Sequence, residues 1–213
     1  MSMMDLHKRL EENTGLLIFG ILLVSAIGGL VQVLPPLFEE SLSTPGVNTR
    51  VYSAVELTGR DIYIREGCHV CHTQQVRPLV AEVDRYGPVS QAGEFVYDRP
   101  FLWGSKRTGP DLHRIGGKYS NVWHEQHLLD PRSVVPESIM PGYPWLATQM
   151  ASDVGDIEAK LRVLRTLGHP YTDEDIADAR ASLDGLRDMD ALIAYLQMLG
   201  TGFDPAAEGM GGH

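Results

Sequence analysis

Cysteine is scarce, with two among 213 residues, too few for a disulfide-stapled fold. Basic residues are short as well: 18 Lys and Arg face 28 Asp and Glu, a net charge of −10, and no block of Lys or Arg occurs. A nucleic-acid partner asks for the opposite balance, because affinity for it comes mainly from cations neutralising phosphates. Charged residues make up 22% and apolar residues 43% of the chain, which excludes a disordered polyelectrolyte. Strand signals are weak, and no internal repeat is visible. At about 150 residues per domain the length leaves room for one real core plus additions.

What is present is unevenly spread. Residues 15–34, GLLIFGILLVSAIGGLVQVL, run for 20 positions without a charge. A helix of that length spans about 30 Å, the thickness of a bilayer's hydrocarbon core. A buried helix of a soluble domain would show a polar stripe, which this run lacks. A cleavable signal has an apolar region of about 7–15 residues and a small-residue cleavage site; here the run is longer and VQVLPPLFEE follows it. The run is therefore read as a retained transmembrane anchor. Lys8 and Arg9 precede it and no Lys or Arg follows before Arg50, so the positive-inside rule places residues 1–14 in the cytoplasm and the remainder outside. Ser25, Gly28 and Gly29 give the helix a small-residue flank suited to packing against another helix, although glycine is common in such helices anyway.

Pro35-Pro36 is expected to end the anchor. Residues 35–50 read as a linker, 51–203 as the globular domain and the Gly-rich 204–213 as a loose tail. In the domain the pattern predicts a helix over about 54–66, a short one in VWHEQHLLD capped by Asn121, and an amphipathic one from Asp153 to Leu167. Thr172 and Asp175 form a capping-box pattern, and Asp188 is placed to cap a last helix, MDALIAYLQML, closed by Gly200. The expected fold is mainly α with long loops at 73–120 and 131–152.

Both cysteines fall in Cys68-His69-Val70-Cys71-His72, the C-x-x-C-H pattern of c-type haem attachment. Two thiols one helical turn apart can add to the two vinyl groups on one porphyrin edge, and the next residue, His72, is then held beneath the iron as an axial ligand. Zinc would need four ligands; no second C-x-x-C is present, although His124 and His127 lie three apart. A thioredoxin-like pair would need a βαβ context, and a plain disulfide is the remaining alternative. Haem is the reading taken, with an extracytoplasmic location to match.

For the second axial ligand the choice is Met140, in the proline-rich PESIMPGYPWL, where Pro136, Pro141 and Pro144 stiffen the loop. Met150, Met198, His113, His124 and His127 are the alternatives. A Met/His pair raises the potential, as suits an electron carrier on an oxidising pathway. In Thr108-Gly109-Pro110-Asp111-Leu112 the Pro110 carbonyl is placed to accept the second N–H of His72, fixing its ring and tautomer. Lys106, Arg107 and Arg114 flank this turn and are candidates for pairing with the haem propionates, or for ordinary surface charge. Trp103, Tyr143 and Trp145 are candidate packing for the haem pocket.

These features together resemble class I cytochromes c. The stretches GRDIYIREGCHVCHTQQVRPL, KRTGPDLHRIGGKYSNVWHEQHLLDPRSVVPESIMPGYPWL and LRTLGHPYTDEDI resemble, more closely, the monohaem subunit of cbb3-type cytochrome c oxidases, the FixO or CcoO type, over nearly the whole chain. The resemblance implies one covalently attached haem c on Cys68 and Cys71, with His72 and Met140 on its iron. It also implies docking, outside a bacterial inner membrane, on a haem-copper catalytic subunit, with electrons arriving from a dihaem cytochrome c subunit or a soluble cytochrome c. This chain has no His-rich run of membrane helices, so its expected role is relay rather than oxygen chemistry. The small subunit of nitric oxide reductase and a free membrane-tethered cytochrome are the other architectures with the same parts.

Overall fold

The computed structural model describes residues 3–104 and 106–205. The chain divides into two units, Met1–Thr44 and Pro45–His213.

The first unit holds α1 (Met3–Glu12) and α2 (Thr14–Leu37), separated by Asn13, whose side chain caps α2 by accepting the Leu16 N–H at 3.1 Å. Helix α2 has 24 residues, no buried residue and an 18-residue stretch of mean hydropathy 2.5, and is long and apolar enough to cross a membrane. So much apolar surface without internal cover asks for a non-aqueous neighbour. The helix does not stop before Pro35-Pro36 as expected; both prolines lie in its last turn. Proline's fixed φ is compatible with helical geometry, so the helix continues through both, at the cost of two missing donors and of crowding against the carbonyls of the preceding turn. The Phe38 N–H then closes the turn on the two proline carbonyls. At Gly28 and Gly29 an added Cβ would meet nothing within 4 Å, so this flank is open in the single chain.

The second unit contains α3 (Ala54–Arg65), α4 (Cys68–Cys71), α5 (Val80–Tyr86), α6 (Asn121–Leu129), α7 (Pro131–Val134), α8 (Ile157–Thr166), α9 (Asp173–Asp178) and α10 (Asp188–Met198). Among the described residues there is no strand; the one β-type pairing is an isolated bridge between Met150 and Arg187. The core is the crossing of α3 on α10. Gly59 makes it close, since a Cβ there would collide with the Ala191 carbonyl and the Tyr195 side chain. Ile62, Tyr63, Met189, Leu192 and Tyr195 are buried around the crossing, and the Tyr63 and Tyr195 rings meet edge to face at 5.5 Å.

Local start signals were partly displaced. Helix α3 begins with a complete capping box, Ser53 with Glu56, and α9 with the expected Thr172 and Asp175. For α6 the cap is Ser120, which accepts the Trp123 N–H at 3.2 Å, not Asn121. Both residue types cap well; here Gln197 on α10 donates to Asn121 Oδ1 at 2.9 Å and to the Tyr119 carbonyl at 2.8 Å, which fixes the register. Helix α8 starts later than expected, capped by Asp156, and Leu167 is exposed rather than part of its buried face. Asp188 is the first residue of α10, not its cap: its buried carboxylate pairs with Arg65 at 2.5 Å, while Asp190 accepts the Arg187 N–H at 2.9 Å. Segment 73–120 is no plain loop. It contains α5 and is tied by buried ion pairs of Glu82 and Glu94 with Arg107 and Arg114, contacts that leave no periodic trace in the sequence. Most of the expected tail, residues 206–213, lies outside the described residues.

Candidate functional site

The turn of α4 carries Cys68 and Cys71 and ends at His72, whose N–H bonds back to the Cys68 carbonyl at 2.9 Å. Both thiols are free, Cys68 half-buried and Cys71 exposed. Burial pushes the Cys68 thiol up to about 12. The chain leaving the turn runs beside residues 109–113: Gly109 N–H donates to the Cys71 carbonyl and Leu112 N–H to the Thr73 carbonyl, each at 3.0 Å. That pairing brings Pro110 to the imidazole, with His72 Nδ1 2.8 Å from the Pro110 carbonyl oxygen. A carbonyl only accepts, so Nδ1 carries the proton and the lone pair of the neutral ring lies on Nε2. Burial lowers the His72 pKa, against the smaller opposing pull of the carbonyl, and favours that neutral ring. Only glycine fits at 109, because a Cβ would collide with the His72 ring. From the other side the Tyr63 hydroxyl donates to the His72 carbonyl at 3.0 Å.

A cavity of about 500 Å³ opens against this turn, within the size range of cofactor sites. Cys68, Cys71, His72, Gly109, Pro110 and Met140 all line it, with Leu112, Ile115, Leu128, Leu192 and Leu196 as apolar walls. Met140 is half-buried. Its loop is fixed by Met140 N–H to Ser138 Oγ at 3.2 Å, Arg132 Nε to the Ser138 carbonyl at 3.1 Å and Tyr143 N–H to the Leu128 carbonyl at 2.7 Å.

The donor set suits a haem. One imidazole presents an unprotonated Nε2, a thioether borders the same space, and two free thiols stand one turn apart at its edge. Arg85, Arg114 and Lys118 border the cavity against one acid besides Asp111, Glu137, a balance that favours a ligand carrying carboxylates.

Other sequence candidates end elsewhere. Arg107 does not line the cavity; it donates to the Gln75 carbonyl at 2.8 Å and to Glu82 at 2.9 Å. Lys106 is also outside, whereas Arg114 borders the cavity while pairing with Glu94. Trp103 is half-exposed and stacked on Phe101 at 4.4 Å, and Trp145 donates to Glu66 at 3.0 Å; of the three aromatic candidates only Tyr143 reaches the cavity. Met150, Met198 and His113 are likewise not in its wall. His124 and His127 are, and His124 Nε2 and His127 Nδ1 are buried without a hydrogen-bond partner. Among the described residues no group of three or more His, Cys, Asp or Glu is arranged to hold a bare metal ion, so the zinc arrangement is not assembled.

Sequence reasoning missed Tyr63, Tyr119 and Trp123. Trp123 lines the cavity, stacked between Tyr119 at 3.9 Å and His127 at 4.7 Å. Trp123 and His127, four residues apart on α6, share one helix face, and that spacing was an available signal; Tyr119 precedes the Ser120 cap.

Compared with known proteins, the chain matches no curated protein in sequence. A family model, cytochrome c oxidase, mono-heme subunit/FixO, matches residues 7–186. With its cavity, its apolar helix and that match over most of its length, the chain belongs to the FixO family of mono-haem subunits of cytochrome c oxidase, and so to a larger membrane complex.

Proposed function

We propose that this chain is the electron-relay subunit of a proton-pumping cbb3-type oxidase in aerobic respiration, with no catalysis of its own. Its haem is held covalently by Cys68 and Cys71, with His72 and Met140 on the iron. The observation that carries the reading is the single cavity bordered by both thiols, the Nε2-unprotonated imidazole and the Met140 thioether. When bound, the haem supplies a one-electron Fe(III)/Fe(II) couple. The protein's part is to keep that couple accessible and unreactive. His72 and Met140 would both hold the iron, which would leave no place on it for oxygen. The Pro110 carbonyl holds the imidazole in one tautomer. The apolar side chains of Leu112, Leu128, Leu192 and Leu196 keep water from the ring.

The haem domain, residues 51–203, stands on the periplasmic side of a bacterial inner membrane, joined through residues 35–50 to a single span over 15–34. Lys8 and Arg9 before the span, and no further cation until Arg50, support that orientation. Electrons arrive from a dihaem cytochrome c subunit or a soluble cytochrome c and leave to the haem b and copper-bearing catalytic subunit. With Asp5, Lys8, Arg9, Glu11 and Glu12 set aside on the cytoplasmic side, a net charge of about −9 remains outside, which favours a basic soluble donor at low salt.

The test is gentle extraction of the tagged chain from membranes, followed by reduced-minus-oxidised spectra and metal analysis. Co-purification of haem b and copper with haem c, and cyanide-sensitive oxygen uptake, are expected. Haem c alone would reduce the reading to an anchored cytochrome, and a colourless chain would overturn it. Met140→His is expected to keep a low-spin haem at a lower potential; an unchanged potential would remove Met140 from the iron.

A further inference from the structure

Two opposed charges lie beside the His72–Pro110 contact. The Asp111 side chain has no exposed surface and borders the cavity. Its carboxylate accepts the Gln75 N–H at 3.0 Å and the His113 N–H at 2.8 Å. Arg107, outside the cavity, donates to the carbonyl of the same Gln75 at 2.8 Å and stands 3.6 Å from Asp111. Gln75, three residues beyond His72, is therefore gripped at both backbone groups by side chains of opposite sign. Glu82 holds Arg107 from the other side at 2.9 Å and also pairs with Arg77.

We infer that Asp111 and Arg107 set the reduction potential of the haem in opposite directions, Asp111 lowering it and Arg107 restraining that effect. The inference rests on the reading of His72 as the iron ligand. Asp111 follows Pro110 directly, so its charge is fixed next to the carbonyl that orients the imidazole. Removal from water leaves such a charge weakly screened. An anion at the cavity wall favours the oxidised state, which carries one more positive charge. The guanidinium partly cancels that field, while Glu82 keeps Arg107 from neutralising Asp111 outright. Both residues are thus positioning residues, acting through the His72–Pro110 pair and through charge.

The experiment is a redox titration of the full-length chain in its membranes, read at the haem c absorbance, for wild type, Asp111→Asn and Arg107→Gln. At the wild-type midpoint Asp111→Asn is expected to raise the reduced-to-oxidised ratio about threefold, some 28 mV for a one-electron couple at 59 mV per tenfold. Arg107→Gln is expected to lower it by a similar factor. A role limited to tying the loops together would lower the melting temperature of both variants and either leave the potential in place or move it the same way in both. Either result overturns the inference. If Asp111→Asn does not accumulate with haem, Arg107→Gln decides alone: a potential unchanged or raised overturns it. His72→Gly tests the underlying reading separately. Loss of its low-spin spectrum, restored by added imidazole, upholds the ligand, while an unchanged spectrum removes it, whatever the other two variants do.

Discussion

The segment behind His72 and the loop that carries Met140 border the same cavity and are held by different means. Behind His72, backbone groups of residues 71–75 and 109–113 pair with each other, and Asp111, Arg107 and Tyr63 pin the remainder with buried or half-buried polar contacts. The Met140 loop relies on Pro136, Pro141 and Pro144, on two contacts to Ser138, and on the bond from Tyr143 N–H to the Leu128 carbonyl of α6, with Ile139 exposed. The first arrangement fixes a ring orientation to within a hydrogen bond. The second fixes only the path of the chain and leaves a flexible thioether to find its own place. Substitutions should therefore be felt more sharply on the His72 side.

The largest effect is expected from Gly109→Ala. Its methyl group would overlap the His72 ring, so the ring or the whole 109–113 segment must move. Haem content of the membranes should fall by about tenfold or more, as overpacking costs of about 1–3 kcal/mol are added to the lost Pro110 contact. Ala at Gly142, in the Met140 loop, would also collide, but with the Leu129 carbonyl at 2.5 Å and not with a proposed ligand; it should weaken the fold more than it changes the iron's spectrum.

Acid should distinguish the two sides next. His113, two residues beyond Asp111, is buried, stacked on Phe95 at 4.6 Å, and its pKa is held well below 6.5 by burial. The unfolded chain takes up a proton there that the folded chain refuses, so stability is lost as pH falls below about 6.5, by at most about 1.4 kcal/mol per pH unit for this one group. Thermal unfolding between pH 7.5 and 5.5 should show the decline. His113→Gln should flatten it, and an unchanged slope would place the acid sensitivity in another buried histidine.

Smaller again is Tyr63→Phe, which removes the hydroxyl bonded to the His72 carbonyl at 3.0 Å. A loss of about 1 kcal/mol, read from denaturant midpoints, is expected, with the haem retained. Smallest is Ser138→Ala in the Met140 loop, which deletes one bond of 3.2 Å at a half-exposed site. It should cost no more than about 0.5 kcal/mol, because water can replace it. If Ser138→Ala proved costlier than Tyr63→Phe, the contrast between the two sides would be reversed.

Much of this was legible in order along the chain. C-x-x-C-H, Gly109-Pro110, the apolar run and the Met140 loop stand out because each is a local pattern whose chemistry depends on near neighbours. The same holds for α3, α9 and α10, whose existence follows from periodicity and caps. The misplacements concern choices between equivalent local options. Ser120 and Asn121 are both good caps, and Gln197 on α10 selects between them. Arg107 stood beside the right motif, but Glu82 and the Gln75 carbonyl, 25 and 32 residues away, claim it. Trp103, Tyr143 and Trp145 read alike as aromatic candidates, yet of these only Tyr143 reaches the cavity, where Trp123 of α6 also stands.

By itself the sequence determined the long apolar helix, the helical class, the haem motif and the family likeness, since all of these are written in spacing, length and residue type. Only the tertiary structure decided which cation meets which carboxylate, which aromatic wall faces the cavity, and that Asp188 and Asp111 are buried. Those outcomes depend on partners distant in sequence, and burial changes the strength of a charge only after the chain has packed around it.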